Sequence, residues 1–503
     1  MSWIFKIAPV LLIVAVVAHE ACAAVVPATP TALPSNKATL TDASGYRDRT
    51  SGGLNNVGSN GNYWSFAPNS QANARNLNFN SGNVNPLNNN NRANGFSVRP
   101  SRALGVAGCF STSAMKYSAT DIRRLVTEAY LKAREEERSS LAQLTFETNL
   151  EQEISKLSRE LYRRTWYPQP LDWFVIKEPA VREVFAPKFR DRVVSHVLFL
   201  MISPIFERYF ICDSFSCRTD KGTLVGIERL EHHIRSVTEN WEKEAWSLNY
   251  DIRAYFMSIN RARLYGIISE TLSKNERRHP NAIDYGFADW LLRTTILERN
   301  PLDGCVYHGN PALISLIQPG KSLRDQAPGV GIPIGDVMNQ LCSNIYLNTF
   351  DQWVKRELKI RHYVRYVDDG KMLHQDREYL EECRERADEF LRENLRLSLH
   401  PNKTVITNLR ETVYFLGAAI KPYRRYARND TVARFRRKMR EMNSALETGE
   451  LTALQVLPRL NSHLGYFSHF KARKITAGSI AAAPAIAGSF DFAKNLTKAT
   501  IKK

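Results

Sequence analysis

Two adjacent aspartates, Asp368 and Asp369, follow a short apolar and aromatic stretch that begins at Tyr363. Two carboxylates this close raise each other's pKa, so the pair normally persists where a cation neutralises it. Side chains alternate from Tyr363 to Val367 as they do in a strand, which predicts a β-hairpin with the acidic pair at its turn. A lone pair of this kind is more often an exposed acidic turn, so the interpretation depends on a third carboxylate elsewhere.

Asp251 is the candidate for that third carboxylate. It ends a mostly apolar, strand-like run that starts at Ser247, and the aromatic pair Tyr255 and Phe256 follows it. Two strands that end in carboxylates can converge in one sheet although more than a hundred residues separate them here. Oxygen-only ligand sets select a hard cation such as Mg²⁺, and two such ions about 4 Å apart activate a hydroxyl nucleophile and stabilise a leaving phosphate group. The three aspartates therefore predict a divalent-cation site.

The charge of the chain favours a polyanionic partner. The formal net charge is +18 and the pI is about 9.6, which suits nucleic acid, although an anionic membrane surface or plain solubility would also suit it. Aromatic residues, including Tyr426 and Phe435, are interleaved with a late basic cluster, as in surfaces that track a phosphate backbone. The cluster consists of Arg424, Arg425, Arg428, Arg434, Arg436, Arg437, Lys438 and Arg440.

Cysteine usage and the amino terminus point to different compartments. Seven cysteines show no CxxC spacing, so neither a zinc site nor a disulfide framework is supported, and we expect a reduced, cytoplasmic protein. However, Lys6 precedes the apolar run Ala8 to Ala18, and Ala21, Ala23 and Ala24 follow, which resembles a secretory signal. The run is too short to span a membrane, so we expect no stable membrane partner.

The composition changes along the first part of the chain. Residues 1–24 carry the signal-like segment, and residues 25–50 are a linker rich in Ala, Pro, Thr and Ser. Asparagine then takes about a third of positions 51–100, with few charges. That composition predicts a loop-rich or low-complexity segment without an obvious core. From Met115 onward the sequence has the texture of a globular protein.

Strand-like and helical patterns are mixed after Met115, which indicates an α+β fold rather than a doubly wound parallel sheet. We expect strands at 172–177 and 182–186, and a core sheet made of 245–252, 362–368, 404–407 and 412–420. We expect helical segments at 119–164, 189–209, 222–240, 259–271, 283–297, 334–357, 377–394, 430–448 and 452–471, followed by an Ala/Gly/Lys tail.

Taken in order, several segments resemble the motifs of the reverse transcriptase family across residues 120–470. They are Val184 to Val194, Asp213 to Thr223, Asp251 to Phe256, Gly331 to Gln340, Tyr366 to Asp369, Asn402 to Thr404, and Phe415 to Gly417. One of these alone is weak, whereas the ordered set is specific. The resemblance implies a right-hand polymerase: N-terminal helices and fingers at 115–245, a palm with an antiparallel sheet at 246–420, a helical thumb at 421–475 and a tail at 476–503.

The resemblance also implies the catalytic roles. Asp251 and Asp368 are the principal ligands of two Mg²⁺ ions, with Mn²⁺ as a possible substitute, the Ile252 carbonyl completes the shell, and Asp369 assists. Phe256, five residues after Asp251, is the bulky wall that excludes a ribose 2′-hydroxyl, which makes the product DNA. The alternative for Phe256 is an ordinary core aromatic residue.

Other residues are candidates for binding the nucleotide and the nucleic acid. Triphosphate transfer needs cations on the β- and γ-oxygens, and the candidates, each with a structural salt bridge as its alternative, are Lys188, Arg192, Arg218 and Lys221. Lys403 either protonates the leaving pyrophosphate or anchors the sheet edge, and Gln340 lines the template and nucleotide pocket. The primer grip falls at Phe415, Leu416 and Gly417, and the predicted backbone-binding residues are Arg424, Arg425, Arg436, Arg437 and Lys438.

The loop from Ile332 to Gly335, which continues to Asn339 and Gln340, narrows the subtype. Group II intron and retron enzymes usually carry Pro-Gln-Gly there, whereas this loop is most similar to the reverse transcriptases of diversity-generating retroelements. Asn339 and Gly370 depart from that pattern. The resemblance implies an RNA template, a DNA or RNA primer, dNTPs, a small basic accessory protein, and adenine-directed mutagenesis. The alternatives are an intron, retron or phage-defence reverse transcriptase, or an inactive palm fold that binds nucleic acid.

The asparagine-rich segment allows three interpretations. From Tyr63 to Arg102 it resembles the diversified end of the lectin-fold targets of such retroelements, where adenines of a template repeat are mutated and asparagine codons begin with two adenines. Residues 51–102 are then a template repeat read in frame, and the functional polymerase begins near Met115. The other two are a fusion with a partial lectin module and an asparagine-rich linker. A secreted lectin alone lacks the length for a complete fold.

Overall fold

The computed structural model describes residues 116–135, 137, 140–177 and 180–502, and the backbone of six short strands between residues 46 and 96. The signal-like segment, Cys22 and Cys109 lie outside the described residues. Five described cysteines, at 212, 217, 305, 342 and 383, are not joined in disulfide bonds. Within this described part, no helix is long and apolar enough to cross a membrane.

Residues 24–109 form a separate unit. Its strands are β1 (Tyr46–Arg47), β2 (Leu54–Asn55), β3 (Asn60–Pro68), β4 (Asn73–Asn80), β5 (Asn83–Asn91) and β6 (Gly95–Phe96). Strands β3, β4 and β5 pair antiparallel in that order, and β1 pairs with β2 and β6. Strand pairing through the asparagine runs differs from the loop-rich segment that composition predicts, because backbone hydrogen bonds do not depend on an apolar side-chain pattern.

The rest of the described chain is rich in helices. They are α1 (Ala119–Arg134), α2 (Leu141–Thr148), α3 (Leu150–Tyr162), α4 (Phe189–Glu207), α5 (Thr223–Val237), α6 (Tyr255–Ser258), α7 (Arg261–Arg278), α8 (Tyr285–Leu292), α9 (Val337–Arg356), α10 (Arg377–Phe390), α11 (Asn429–Glu447), α12 (Ala453–Phe467), α13 (Arg473–Ala481) and α14 (Pro484–Ser489). Local chemistry sets their ends. At α1, Ser118 Oγ accepts the Asp121 N–H and the Asp121 carboxylate accepts the Ser118 N–H, which is a capping box.

The strands of this part form three main sheets and a C-terminal hairpin. They are β7 (Asp172–Ile176), β8 (Arg182–Ala186), β9 (Trp246–Asp251), β10 (Val306–Tyr307), β11 (His362–Tyr366), β12 (Asp369–His374), β13 (Val405–Asn408), β14 (Val413–Phe415), β15 (Ala418–Lys421), β16 (Arg424–Ala427), β17 (Phe490–Phe492) and β18 (Ala499–Ile501). The α+β prediction is confirmed, because helices and mostly antiparallel sheets are mixed along this part of the chain.

The palm sheet has the order β11-β12-β9-β13, and all its pairs are antiparallel. It separates two apolar cores. Met372 packs into the core built around α4, α7 and α9, whereas its neighbour Leu373 packs into the core shared with α5 and the thumb. Alternation along β12 thus gives the sheet one face toward each core.

The prediction that 412–420 belongs to the palm sheet is wrong. This segment forms two strands, β14 and β15, which pair with β16 in a separate three-stranded sheet. The turn between them contains Leu416 and Gly417, both with left-handed φ values of 48° and 83°. A continuous apolar run does not reveal such a reversal, and the glycine is its one local signal.

The fingers sheet contains the hairpin of β7 and β8, with the short β10 parallel to β7. Both strands were predicted and are confirmed. Glu183 on β8 is buried, and it accepts hydrogen bonds from Ser322 Oγ at 2.9 Å and from the Leu323 N–H. Those bonds hold the segment before loop 332–335 (the palm loop) against the fingers hairpin.

The Ala/Gly/Lys tail is folded and shares a hydrophobic core with the thumb helices. Helices α13 and α14 and the hairpin of β17 and β18 follow the thumb helices. Ile486, Phe490 and Ala499 are almost fully buried in the same core as thumb residues such as Phe435. The small residues of this segment give no periodic pattern that would predict its helices and strands, because packing rather than local propensity stabilises them.

Gly370, which departs from the family pattern, makes room for Tyr250. The two residues lie opposite each other on β12 and β9, and a Cβ at Gly370 would come within 2.2 Å of the Tyr250 ring. Tyr250 is buried, and its hydroxyl lies 2.7 Å from that of Tyr363. The tyrosine ring therefore fills the space that a larger side chain would otherwise take.

We expect Gly370→Phe to lower the free energy of unfolding by at least about 1–3 kcal/mol, because an over-filled core forces side chains and backbone to shift. In Gly370→Phe/Tyr250→Ala the new ring enters the space left by the old one, so the double variant loses less than the sum of the two single losses. Urea denaturation of all four proteins measures this. Additive losses would contradict the exchange of space between the two positions.

Candidate active site

The turn of the β11–β12 hairpin carries the first of the three aspartates. Tyr366 pairs with Asp369, so Val367 and Asp368 are the two turn residues. Val367 has a φ of 57°, a left-handed conformation that is costly for a β-branched residue. Since strain of this kind persists only when the surroundings fix it, the position of Asp368 is set by more than the turn itself.

The register of the palm sheet brings the other two aspartates to the same end. Asp369 on β12 pairs directly with Asp251 on β9. Residues that pair across antiparallel strands have Cβ atoms about 5 Å apart. The predicted convergence of two carboxylate-bearing strands is thus what the structure shows, with Asp368 on the adjoining turn.

Two aspartates of this cluster have a raised pKa. The pKa of Asp368 is raised to about 6, first by burial and then by the carboxylate charges of Asp251 and Asp369. Burial also raises the pKa of Asp369, against which the charge of Lys371 acts. Such a cluster gains from a nearby cation, because a positive charge stabilises the ionised carboxylates.

Lys403 supplies one such charge. Its Nζ donates a hydrogen bond to Asp251 Oδ2 at 2.9 Å. The sequence left two roles open for this lysine, and the contact places it at the acidic cluster rather than merely near the sheet edge. Its role in protonating pyrophosphate stays a prediction.

The donor set suits a hard divalent cation, since it consists of carboxylate oxygens and a backbone carbonyl. Among the residues described, however, no three His, Cys, Asp or Glu side chains already stand at the spacing of a metal cluster. Ile252 is buried and forms an isolated bridge with Leu399, and the ladder bonds there use Arg253 and Asp251 rather than Ile252. The residues therefore fit the ion chemically, and the Asp251 carboxylate is bound to Lys403.

A buried ion pair behind the hairpin fixes the turn, and sequence reasoning missed it. Arg365 and Asp351 are both fully buried, and Arg365 Nη2 lies 2.6 Å from Asp351 Oδ2. Arg365 Nη1 also donates to the Val367 carbonyl at 2.8 Å, which holds the left-handed residue from behind. The one sequence signal was an arginine inside an apolar strand next to the acidic pair.

The four fingers cations are engaged within the protein. Lys188 is paired with Asp172, which His308 also contacts, and the other three make contacts of their own. These are Arg192 with Glu137, Arg218 with Glu207, and Lys221 with the Cys212 carbonyl. Arg218 is almost fully buried, so its guanidinium group has an intramolecular role. Triphosphate binding by these residues stays a prediction.

Arg182 is a further cation that the sequence did not single out. It is exposed at the start of β8, and its charge acts against the burial that raises the pKa of Asp368. The signal was its alternation with the buried Glu183, which places the two side chains on opposite faces of the strand. Arg182 thus joins the candidates for contacting a triphosphate.

Phe256 and the palm loop lie between fingers and palm. Phe256 is half-buried, and its carbonyl accepts the Ile332 N–H at 2.9 Å. Gly335 has a φ of 130°, and a Cβ there would come within 2.9 Å of Val184 on β8. The loop is therefore wedged against the fingers, and Gln340, half-buried in the first turn of α9, follows it.

The predicted primer grip is the turn between β14 and β15. Phe415 is buried, and the Gly417 carbonyl accepts the Arg428 N–H at 2.8 Å. A Cβ at Gly417 would come within 2.9 Å of the Tyr466 hydroxyl of α12. The turn is thus clasped by the base of the thumb, which links the grip to the thumb helices.

The predicted basic surface contains exposed residues and residues that pair within the protein. Arg424 is exposed, as are Arg436 and Arg437 on the outer face of α11, while Lys438 is half-buried. Arg437 and Lys438 both pair with Glu441. Arg425 donates to the His469 carbonyl and lies 3.8 Å from Glu228 and from Glu231. Arg425 therefore links the thumb to α5. Nucleic-acid binding by the other four residues of this surface stays a prediction.

Comparison with known proteins finds a family model and two curated relatives that match part of the chain. The model of the family described as reverse transcriptase (RNA-dependent DNA polymerase) matches residues 177–420. Protein YkfC of Escherichia coli (strain K12) is 22% identical over 299 residues, which cover 53% of this chain and 70% of YkfC. The group II intron-encoded protein LtrA of Lactococcus lactis subsp. cremoris is 20% identical over 363 residues, which cover 59% of this chain and 54% of LtrA. The chain thus spans about half the length of LtrA.

Two solved telomerase structures are also similar to the chain. The apo telomerase from Candida tropicalis, truncated from the C-terminal domain, has a TM-score of 0.35 at 11% identity, covering 50% of this chain and 54% of that one. The telomerase from Candida albicans in complex with a fragment of telomeric RNA has a TM-score of 0.37 at 12% identity, covering 67% and 60%.

Proposed function

We propose that this chain synthesises cDNA within a diversity-generating retroelement. The premise is that residues 177–420 belong to the reverse transcriptase family, which makes the chain an RNA-directed DNA polymerase. The observation that carries the polymerase function is the pairing of Asp251 with Asp369 beside the Asp368 turn. Three carboxylates converge there from two separate stretches of sequence, with cations on both sides.

The chain's own residues prepare the site for nucleotidyl transfer. Divalent ions, when bound by Asp251, Asp368 and Asp369, supply the positive charge that activates a primer 3′-hydroxyl and neutralises the leaving pyrophosphate. The Arg365 contact fixes the turn that carries Asp368. Lys403 holds a proton beside the cluster, where a leaving oxygen can take it. Such pre-positioning of charge is the main contribution a protein makes to phosphoryl transfer.

Phe256 is the residue that we propose for excluding ribonucleotides. We expect Phe256→Ala to raise the incorporation of ribonucleotides relative to deoxyribonucleotides by about tenfold to a hundredfold, because a steric wall against one hydroxyl is worth a few kcal/mol at most. The ratio of kcat/KM values for a ribonucleotide and its deoxy counterpart measures it. Phe467→Leu, at a buried aromatic residue of the thumb core, serves as the control. An unchanged ratio in Phe256→Ala would assign this ring to the core.

The retroelement subtype rests on two sequence features. The palm loop ends in Asn339-Gln340, and the asparagine-rich segment upstream resembles a template repeat. The partners are then an RNA template, a DNA or RNA primer, dNTPs and a small basic accessory protein, in the cytoplasm, where dNTPs are available. Copying is error-prone at template adenines. A group II intron reverse transcriptase is the second candidate, which the match to LtrA favours.

Primer extension on defined RNA templates, followed by sequencing of the cDNA, tests both levels of the proposal. Extension that requires a divalent cation supports the polymerase. Substitutions concentrated at template adenines support the retroelement, whereas errors spread evenly over the four bases refute the subtype and leave the polymerase standing. In the flanking DNA we expect a near copy of the segment for residues 51–102 that differs mainly at adenines; finding none would refute the template-repeat interpretation.

A further inference from the structure

Lys371 is a buried cation on the same face of the palm sheet as the carboxylates of Asp251 and Asp369. It follows Asp369 by two positions on β12, so both side chains leave the strand on the same side. Its partner on β9 is Asn249, just as the partner of Asp369 is Asp251. The face therefore carries a row of two aspartates and, next to it, a row of asparagine and lysine.

The surroundings of Lys371 hold its ammonium group in place without a carboxylate ion pair. The residue is only 4% exposed. Its Nζ donates to Asn249 Oδ1 and lies 5.5 Å from the centre of the Phe415 ring. Asn249 is itself oriented, because its amide nitrogen donates to Thr407 Oγ1 at 3.0 Å. Within the described residues, no carboxylate oxygen lies within 4 Å of Lys371 Nζ.

Burying a cation without a direct counter-ion is costly, so its surroundings must contain compensating negative charge. The nearest source is the carboxylate cluster. Asp369 is two positions away on the same face of β12, and it pairs with Asp251 on β9. The ammonium group of Lys371 therefore shares one sheet face with these two carboxylates.

We propose that Lys371 is a resident counter-charge of the carboxylate cluster, which weakens the binding of divalent cations at the Asp369 side of the site. Residues two apart on a strand are spaced by about 7 Å. At that separation a fixed positive charge opposes a doubly charged ion enough to change its affinity on the order of tenfold, even at the dielectric constant of water. This inference rests on the proposed function, because it concerns the same cation site.

The contact with Phe415 extends the same argument to the primer grip. The ammonium lies near the ring of the residue that begins the grip turn, and cations are attracted to aromatic rings within about 6 Å. Lys371 thereby packs between the grip and the cluster. It is a positioning residue, since it acts on the reaction through the cation site and not by touching the nucleotide.

The test is Lys371→Met, which removes the charge and keeps the length of the side chain. We measure Mn²⁺ binding to the protein alone, from the loss of the free-ion EPR signal at pH 8. The expected result is binding about tenfold tighter than in the natural protein, with a lower Mg²⁺ midpoint for primer extension. Lys421→Met, a charge removal at an exposed position at the end of β15, should change neither.

A thermal melt in EDTA separates this role from a structural one. Replacing a buried charge by an apolar side chain of similar size is often neutral or stabilising, so we expect the Tm of Lys371→Met to be unchanged or raised. A lowered Tm together with Mn²⁺ affinity within twofold of the natural protein would overturn the proposal. If Lys371→Met does not fold, Lys371→Gln takes its place, and failure of both to fold would also overturn it.

The variant Asp368→Asn distinguishes a failure of the proposed cation site from a failure of the inference about Lys371. If Mn²⁺ binding is insensitive to Asp368→Asn, the cation site of the proposed function is refuted. If Asp368→Asn weakens Mn²⁺ binding while Lys371→Met leaves it unchanged, the inference about Lys371 alone is refuted.

Discussion

Replacing Asp368 by Asn is expected to abolish primer extension on an RNA template, with a loss of roughly a thousandfold or more in kcat, while RNA binding is retained. The residue lies at the turn of the palm hairpin, next to Asp251 and Asp369. An amide keeps the size of the side chain but removes the negative charge that holds a divalent cation. Binding of the template relies on other residues, so it is spared.

The substitution should not unfold the protein. Burial and two neighbouring carboxylates raise the pKa of Asp368 to about 6, so its ionised form is unfavourable in the folded protein and a neutral amide relieves repulsion. The Tm of Asp368→Asn is therefore expected to equal or exceed that of the natural protein. Asp491→Asn, at an exposed carboxylate of the C-terminal hairpin, controls for charge removal. Extension retained by Asp368→Asn would refute the assignment of the cation ligands.

The sequence predicts this site well because its signals are local. The acidic pair follows one alternating stretch and Asp251 ends another, so each marks the end of a strand. Antiparallel pairing of the two strands then brings the three aspartates together. The elements that were predicted correctly are those whose periodicity lies within one segment, such as the helix at 189–207 and the hairpin at 172–186.

What the sequence did not predict depends on distant partners. For Lys188 and Arg218 the sequence leaves a triphosphate contact and a structural salt bridge open, and each residue pairs with a carboxylate from another part of the fingers. Residues 476–501 lack a periodic pattern, yet Ile486 and Phe490 complete the thumb core. Gly370 reads as a departure until the Tyr250 ring is seen to fill its place. In each case the deciding contact joins segments that no local pattern connects.

The buried pair of Arg365 and Asp351 gives the second large effect. We expect Arg365→Met to lower the free energy of unfolding by about 3–5 kcal/mol, because it leaves the fully buried Asp351 carboxylate without its counter-ion. Burial would lower the pKa of Arg365, but the charge of Asp351 more than offsets this and raises it. Arg365 is therefore charged, and chemical denaturation of the single variants measures the cost of separating the pair.

The double variant Arg365→Met/Asp351→Leu distinguishes stability from positioning. An apolar pair of similar volume removes the unpaired charge, so most of the lost stability should return, and the Tyr363 hydroxyl keeps its contact with the Tyr250 hydroxyl. Activity should not return, because Arg365 Nη1 is the donor to the Val367 carbonyl. Without it the left-handed Val367 is free to relax, and the turn that carries Asp368 moves with it. A stable double variant whose kcat recovers fully would show that the pair serves the fold alone; one that is stable but at least about tenfold slower in kcat, with KM unchanged, places Arg365 behind the catalytic turn as its support.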